Sequence, residues 1–217
     1  MVFCALIRQP VAARPRPTVS INPYTLTRVH ALSRSIVQIQ GLVPFSKGGN
    51  RLCFVHPEAT DTCLKVDQET RTPERKRQRK GFVGRLRSLR HYDENLQEYR
   101  ALQALHRHYP GSLTRHLPRT FGLIETDQGP AHSMELIRDG DGLISETIER
   151  YLWANGMDEL LRQALDEFRH DWLQASPPSR DLLPHNLLLQ KRGSKGMVML
   201  VDGYGRPGGW QLPRPFR

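Results

Sequence analysis

The feature that most restricts this chain is the run Ser179-Arg180-Asp181-Leu182-Leu183-Pro184-His185-Asn186, followed by an apolar segment, a turn, a second apolar segment and Val201-Asp202-Gly203. An Asp and an Asn separated by four residues on one loop, with a second Asp after the next hairpin, place three oxygen-bearing side chains where two loops can meet. Magnesium is a hard cation that takes oxygen ligands in tight octahedral geometry, which makes Asn186 and Asp202 candidate metal ligands. An acceptor hydroxyl needs a carboxylate within hydrogen-bond reach, which makes Asp181 the candidate base or acceptor-orienting group. Alone, Asp and Asn in a loop serve as caps and turn formers. The later Asp202, with Arg180 and Pro184 inside the loop, favours the chemical reading.

Two upstream residues fit the same chemistry. Lys65 is the one charged residue in the short, mainly apolar run Thr62-Cys63-Leu64-Lys65-Val66, a strand pattern. Asp93 can cap a helix with Leu96, Tyr99, Leu102 and Leu105 at helical spacing and Glu98 in its interior. In phosphotransfer sites of the protein-kinase type, a third-strand lysine contacts the α- and β-phosphates and pairs with a helix Glu. A catalytic-loop Asp, an Asn and a later metal-binding Asp follow in that order. Lys65, Glu98, Asp181, Asn186 and Asp202 keep this order, so ATP and Mg2+ are the expected cofactors. Other readings are an edge-strand charge for Lys65 and a solvated helix face for Glu98. Gly48 and Gly49, in Phe45-Ser46-Lys47-Gly48-Gly49-Asn50-Arg51, are candidate cofactor-binding residues whose backbone N–H groups could cradle phosphate. The loop lacks a full G-x-G-x-x-G pattern, and a plain hairpin turn is the alternative.

Residues 1–32 carry Pro10, Pro15, Pro17 and Pro23 among arginines without periodicity, and read as a flexible Pro/Arg-rich leader or an over-extended start. Residues 33–138 read as one lobe: strand 35–40, loop 41–49, strands 51–55 and 62–66, a basic insertion over 68–90, a helix after Asp93, and strands 117–125 and 131–137. Residues 139–217 read as a second lobe, with helices over 145–153 and 157–173 starting near Ser145 and Asp158, the polar loop, and a hairpin of 187–189 with 197–201. The expected class is α+β: a minimal protein-kinase-like two-lobe fold, with an antiparallel sheet and one helix in the first lobe and a truncated, mainly helical second lobe. Arg138, Asp139, Gly140, Asp141 and Gly142 fall where such lobes join and are expected to shape the hinge.

Composition narrows the partners. The chain has 32 Lys and Arg against 22 acids, a net charge of +10, which favours polyanions such as nucleic acid, anionic membrane or phosphorylated ligands. Nine of those cations and only two acids lie within 68–90, so residues 71–90 are the expected polyanion contact or a solvated insertion. Phe82 is the one aromatic there, too few for a base-stacking platform. Cys4, Cys53 and Cys63 form neither a disulfide framework nor a CxxC pair. Cys53, His56 and Cys63 are an incomplete zinc set, and His106, His108 and His116 read as solvated histidines. No apolar run approaches the roughly 18–20 residues that span a bilayer, and the opening residues make a poor signal peptide. The expected location is a reducing cytoplasm.

The strings Ser46-Lys47-Gly48-Gly49-Asn50-Arg51-Leu52-Cys53-Phe54-Val55-His56-Pro57, Tyr92-Asp93-Glu94-Asn95-Leu96-Gln97-Glu98-Tyr99, Ile137-Arg138-Asp139-Gly140-Asp141-Gly142 and Arg180-Asp181-Leu182-Leu183-Pro184-His185-Asn186 resemble the YrbL family of the bacterial PhoP regulatory network. The resemblance runs from about Ser33 to about Gly205 and implies a kinase-like fold in a bacterial cytoplasmic protein whose expression the PhoP system controls. Three departures count against an ordinary protein kinase. Ser179 stands where the catalytic loop usually has His, Leu183 stands where it usually has Lys, and Val201-Asp202-Gly203 lacks the intervening Phe. The 15 residues after Asp202 leave no room for an activation segment, so a small-molecule acceptor is expected over a protein. Three functions follow: an ATP-dependent phosphotransferase, a catalytically inactive regulatory module that keeps the nucleotide cleft, and a basic nucleic-acid-binding protein.

Overall fold

Strand alternation sets up the first half of the molecule. The computed structural model describes residues 36–179 and 181–204, all within the compact unit Ser35–Arg217. The leader expected over 1–32 and Arg180 lie outside the described residues. Strands β1 (Ser46–Lys47), β2 (Arg51–Val55), β3 (Thr62–Asp67), β4 (Thr120–Thr126) and β5 (Gly129–Glu135) form a sheet in the order β1-β2-β3-β5-β4, every pairing antiparallel. Phe54 stands opposite Leu64, and Cys53 opposite Lys65. Successive side chains point to opposite faces. Phe54, Leu64, Val66 and Ala131 therefore share one face, where they cluster with Ile39, while Arg51, Cys53, Cys63 and Lys65 share the other. The β2–β3 turn is capped by His56, whose Nδ1 accepts the backbone N–H groups of Glu58 and Ala59, each at 3.1 Å.

The strand expected over 35–40 is not formed by the described residues. Val37 makes an isolated parallel bridge to Thr126, and the Asp127 carboxylate accepts the N–H groups of Ile39 and Gln40 at 2.9 and 3.0 Å. That carboxylate satisfies the donors a ladder partner would otherwise take. The first strand is instead β1, closed onto β2 through Gly48, whose N–H donates to Arg51 O at 2.9 Å. The sheet still has five strands.

The basic insertion is helical. It contains a 3-10 turn (Glu69–Arg71), α1 (Pro73–Arg79), α2 (Gly81–Arg85) and a second 3-10 turn (Leu89–His91). Thr72 caps α1, and Pro73 occupies its first turn, where a missing N–H costs nothing. No residue of α1 is buried. Lys76 fastens the insertion to the body through Asp67 at 3.3 Å and Glu94 at 3.2 Å.

Helix α3 (Glu94–His108) begins at Asp93 as expected, with the Leu96 N–H donated to Asp93 Oδ1 at 2.8 Å. It packs on β3, β4 and β5 and buries Asn95, Glu98, Leu102 and Leu105. A short helix α4 (Gly111–Thr114) leads into β4.

The second half pairs two helices with a three-stranded sheet. β6 (Glu146–Thr147), β7 (Leu187–Arg192) and β8 (Lys195–Leu200) run in that order, with α5 (Ile148–Asn155) and α6 (Glu159–Ala175) between β6 and β7. The cap of α5 is Thr147, not Ser145. Ser145 instead donates its hydroxyl to Asp139 at 2.5 Å. Asp139 also accepts the Lys191 N–H at 2.9 Å, so the Arg138 to Gly142 turn is tied to β7. Asp158 caps α6 as expected. Leu161, Ala164, Phe168 and Trp172 line the buried side of α6, which packs on β8. Gly196 permits that approach, because a Cβ there would lie 3.3 Å from Ala164 Cβ. One apolar core joins Cys63 and Met134 of the first sheet to Leu102 of α3, Ile148 of α5, Leu161 of α6 and Val198 of β8.

His116 is buried, contrary to the solvated reading: 1% of it is exposed. Its ring nitrogens lie 2.7 Å from Val198 O and 3.1 Å from Asp171 Oδ2. Asp171 also accepts Arg115 Nε at 2.9 Å. His106 is half-buried against Pro118 O at 2.9 Å, and His108 is exposed. Asp171→Ala leaves the buried His116 Nε2 without its partner. Chemical unfolding of this variant is expected to show a loss of about 1–3 kcal/mol, the cost of an unpaired buried polar group.

Candidate functional site

Two cations on the inner sheet face converge on one helix carboxylate. Lys65, on the central strand β3, donates from Nζ to Glu98 Oε1 at 2.6 Å and to Val201 O at 2.5 Å. Arg51, at the start of β2, pairs through Nη1 with Glu98 Oε2 and through Nη2 with Asp202 Oδ2 at 2.6 Å. His132, opposite Lys65 on β5, places Nδ1 3.6 Å from Glu98 Oε1, and its Nε2 lies 2.8 Å from the Thr120 hydroxyl. Asn95, one turn before Glu98 on the same helix face, lies 3.4 Å from Arg51 Nη1. The chain of contacts runs Lys65–Glu98–Arg51–Asp202, from the middle of the sheet to the segment after β8.

Burial and charge oppose each other across this cluster. Burial alone would raise the Glu98 pKa, but Arg51 and Lys65 outweigh it and hold the carboxyl well below the usual range. Burial would lower the Lys65 pKa, and Glu98 and Asp202 reverse it upward. The same balance, with Glu98 and Asp202 against burial, raises Arg51. Burial first, then Glu98 and Asp202, push the Tyr204 phenol well up. A hydrogen bond from Cys63 lowers the Cys53 thiol to about 7, against burial and with help from Lys65 and Arg51. Cys53 and Cys63 thus belong to the electrostatics of this cleft, while His56 is engaged in its own turn.

The loop side is assembled by backbone contacts. A 3-10 turn (Pro184–Asn186) carries Asn186 into β7. Asn186 Nδ2 donates to Asp181 O at 3.0 Å, and Asn186 O accepts the Val201 N–H at 2.9 Å. The segment carrying Asp202 is thereby held beside the loop carrying Asp181. Gly203 has φ +82°, and a Cβ there would lie 2.7 Å from Asp181 O; only glycine suits both the left-handed backbone and the close approach. Asp202 Oδ1 accepts the Gly203 N–H at 2.7 Å.

Gly48, Gly49, Lys65, Glu98, Asp181, Asn186 and Asp202 all line one cavity of about 900 Å3. Their residue types suit magnesium and phosphate. Asn186 spends its amide N–H on Asp181 O and leaves Oδ1 as a hard oxygen, Asp202 supplies a carboxylate, and Lys65 and Arg51 supply charge for phosphate. The Asp181 side chain is exposed at the cavity rim. Gly48 and Gly49 form the β1–β2 hairpin turn, which is the plain-turn alternative, and this turn borders the same cavity. Sequence reading missed Arg51, His132 and Asn95 as members of the cluster. The signal for Arg51 was a charge opening an otherwise apolar strand, but its partner depends on the register between β2 and β3.

A five-stranded antiparallel sheet, a β3 lysine paired with a helix glutamate, and an Asp/Asn loop joined by a hairpin to a second Asp define a kinase-like fold. Residues 37–214 match the family model described as PhoP regulatory network protein YrbL, and the chain belongs to that family. No curated protein matches the chain. Among solved structures it is similar to the crystal structure of Rad53 1-466 in complex with AMP-PNP, with a TM-score of 0.45 and 16% sequence identity. That likeness covers 74% of this chain and 37% of that chain, so this chain spans well under half of that one. Among the described residues, no helix is long and apolar enough to cross a membrane.

Glu98→Ala strands two buried cations and is expected to cost about 3–5 kcal/mol, as removing one partner of a buried ion pair does. The Glu98 pKa is depressed in the folded state. Its contribution is therefore present above the unfolded carboxylate value of about 4.3 and is lost as pH falls through the folded value. Urea unfolding from pH 3 to 7 should show wild type losing stability on the acid side, and Glu98→Gln should lack that component.

Proposed function

We propose that the cleft binds ATP with magnesium and that the protein is a kinase-like phosphotransferase acting on a small acceptor. The observation that carries this reading is the Lys65–Glu98 pair on the same cavity as Asn186 and Asp202. Lys65 Nζ, oriented by Glu98, would neutralise the α- and β-phosphates. Asn186 Oδ1 and the Asp202 carboxylate would hold magnesium, which when bound screens the negative charge of the phosphates. The Gly48 and Gly49 turn would cover the phosphates from the β1–β2 side. Asp181, at the open rim, would orient the acceptor hydroxyl and take its proton. Arg51 adds a second cation beside the phosphates, beyond the single lysine of the general pattern. Catalysis of this kind is mostly positioning and charge neutralisation.

One observation favours a second reading, a nucleotide-binding regulatory module without turnover. Arg51 Nη2 already pairs with Asp202 Oδ2, so a cation at Asp202 must displace or share that guanidinium. The two readings agree on binding and differ on Asp181.

Thermal unfolding with and without magnesium-ATP tests the shared part, because a ligand bound only by the folded state raises apparent stability. Saturation at about 100 times Kd corresponds to about 2.7 kcal/mol. Wild type should show a magnesium-dependent upward shift that Lys65→Ala and Asp202→Ala, each folded, both lose. Phosphate release or transfer that disappears in Asp181→Ala supports the phosphotransferase; retained binding without turnover supports the module. No shift in folded wild type sinks both and turns attention to nucleic acid on the basic surface.

A further inference from the structure

The helical insertion between β3 and α3 carries features that the cleft does not use. α1 and α2 meet at Gly81, whose φ is +59°. Gly84 is buried against the end of α1: a Cβ there would lie 2.5 Å from Arg77 O and 2.7 Å from Lys80 Cβ. Positions two residues away on either side in a helix point about 200° from it, so Phe82 and Leu86 fall on the side of α2 turned away from α1. Both are large apolar residues in solvent, 77% and 74% exposed, and their spacing of four makes them neighbours on that side. Leu89, also exposed, follows in the next turn.

Cations flank this pair along the chain. Arg79, Lys80, Arg87 and Arg90 are exposed, and none makes an ion pair among the described residues. Lys76, by contrast, is turned inward to Asp67 and Glu94 and holds the insertion to the body, as does Tyr92, which donates its hydroxyl to Gly84 O at 3.4 Å. The insertion is thus anchored to the body through Lys76 and carries, within one short stretch of chain, exposed cations outside any ion pair and an exposed apolar pair.

We propose that this surface, residues 69–91, docks on an anionic lipid bilayer. Charge complementarity selects the partner: Lys and Arg near a negatively charged leaflet each gain about 1 kcal/mol, or about fivefold in partitioning. Phe82 and Leu86 enter the headgroup and acyl boundary, where apolar side chains of surface-lying helices belong. A polynucleotide would occupy the cations but leave Leu86 in water and offer Phe82 a single stacking contact.

The test is sedimentation of the full chain with vesicles of phosphatidylcholine, with and without phosphatidylserine, at low and physiological salt. Phe82→Ser/Leu86→Ser and Arg79→Gln/Lys80→Gln serve as variants, with circular dichroism and thermal unfolding as controls for folding. The expected result is partitioning only to phosphatidylserine vesicles, reduced about tenfold or more in each variant, since two cations at about fivefold each correspond to about 25-fold. No partitioning to phosphatidylserine vesicles at low salt overturns the proposal. So does partitioning unchanged in Phe82→Ser/Leu86→Ser, which would assign the attraction to net charge alone. A short RNA that binds more tightly than the vesicles, and equally to wild type and Phe82→Ser/Leu86→Ser, overturns it in favour of a nucleic-acid surface.

Discussion

The Glu98 carboxylate, buried between Lys65 and Arg51, is the interaction on which the rest of this structure depends. Burying a carboxylate without partners costs several kcal/mol, and here the two cations offset that cost by sharing its two oxygens. They come from different strands, and they reach the same helix residue only because alternation and register place both on the inner face of the sheet. Arg51 also holds Asp202, and Lys65 also holds the carbonyl of Val201. The segment that follows the second sheet is thereby fixed to the first sheet by charge, while the apolar core joins the two halves behind it.

This arrangement has a consequence for the cleft. Near Asp202, Arg51 and Lys65 bring positive charge, and Asn186 spends its amide N–H on Asp181 O and keeps a side-chain oxygen. The Gly203 backbone keeps the Asp202 and Asp181 segments close enough for both to border one cavity. Under the proposed function, a polyphosphate with a divalent cation would use both kinds of group at once. Arg51 is the feature that sets this cleft apart from a single-lysine pattern, since its guanidinium bridges Glu98 and Asp202 at the cavity wall.

Much of this was legible in the sequence where the signal is local. Asp93 and Asp158 announced their helices because capping depends on one side chain and the N–H groups that follow it. β2, β3, β4, β5 and the β7–β8 hairpin followed from apolar runs bounded by turn residues. The order of Lys65, Glu98, Asp181, Asn186 and Asp202 pointed to one site, and these residues do line one cavity. What stayed hidden depends on contacts distant in the chain. Residues 35–40 alternate like a strand, yet the donors of Ile39 and Gln40 are taken by Asp127, almost ninety positions away. His116 looked solvated among arginines, but Asp171 on α6 and Val198 on β8 enclose it. Arg51 joined the site through a register that spacing alone does not fix. The insertion read as a run of charge, and only the burial of Gly84 shows which side of it carries Phe82 and Leu86.

The central claim is that Asn186 and Asp202 hold a divalent cation together with a nucleotide in the Lys65 cleft. The most direct measurement uses Mn2+ in place of Mg2+ and follows its electron paramagnetic resonance during titration with protein and ATP. The account predicts that free Mn2+ signal falls as wild type takes up the metal with ATP, and that Asn186→Ala and Asp202→Ala, each folded, lose most of that uptake. Uptake equally strong in both variants, or none in wild type, would contradict it.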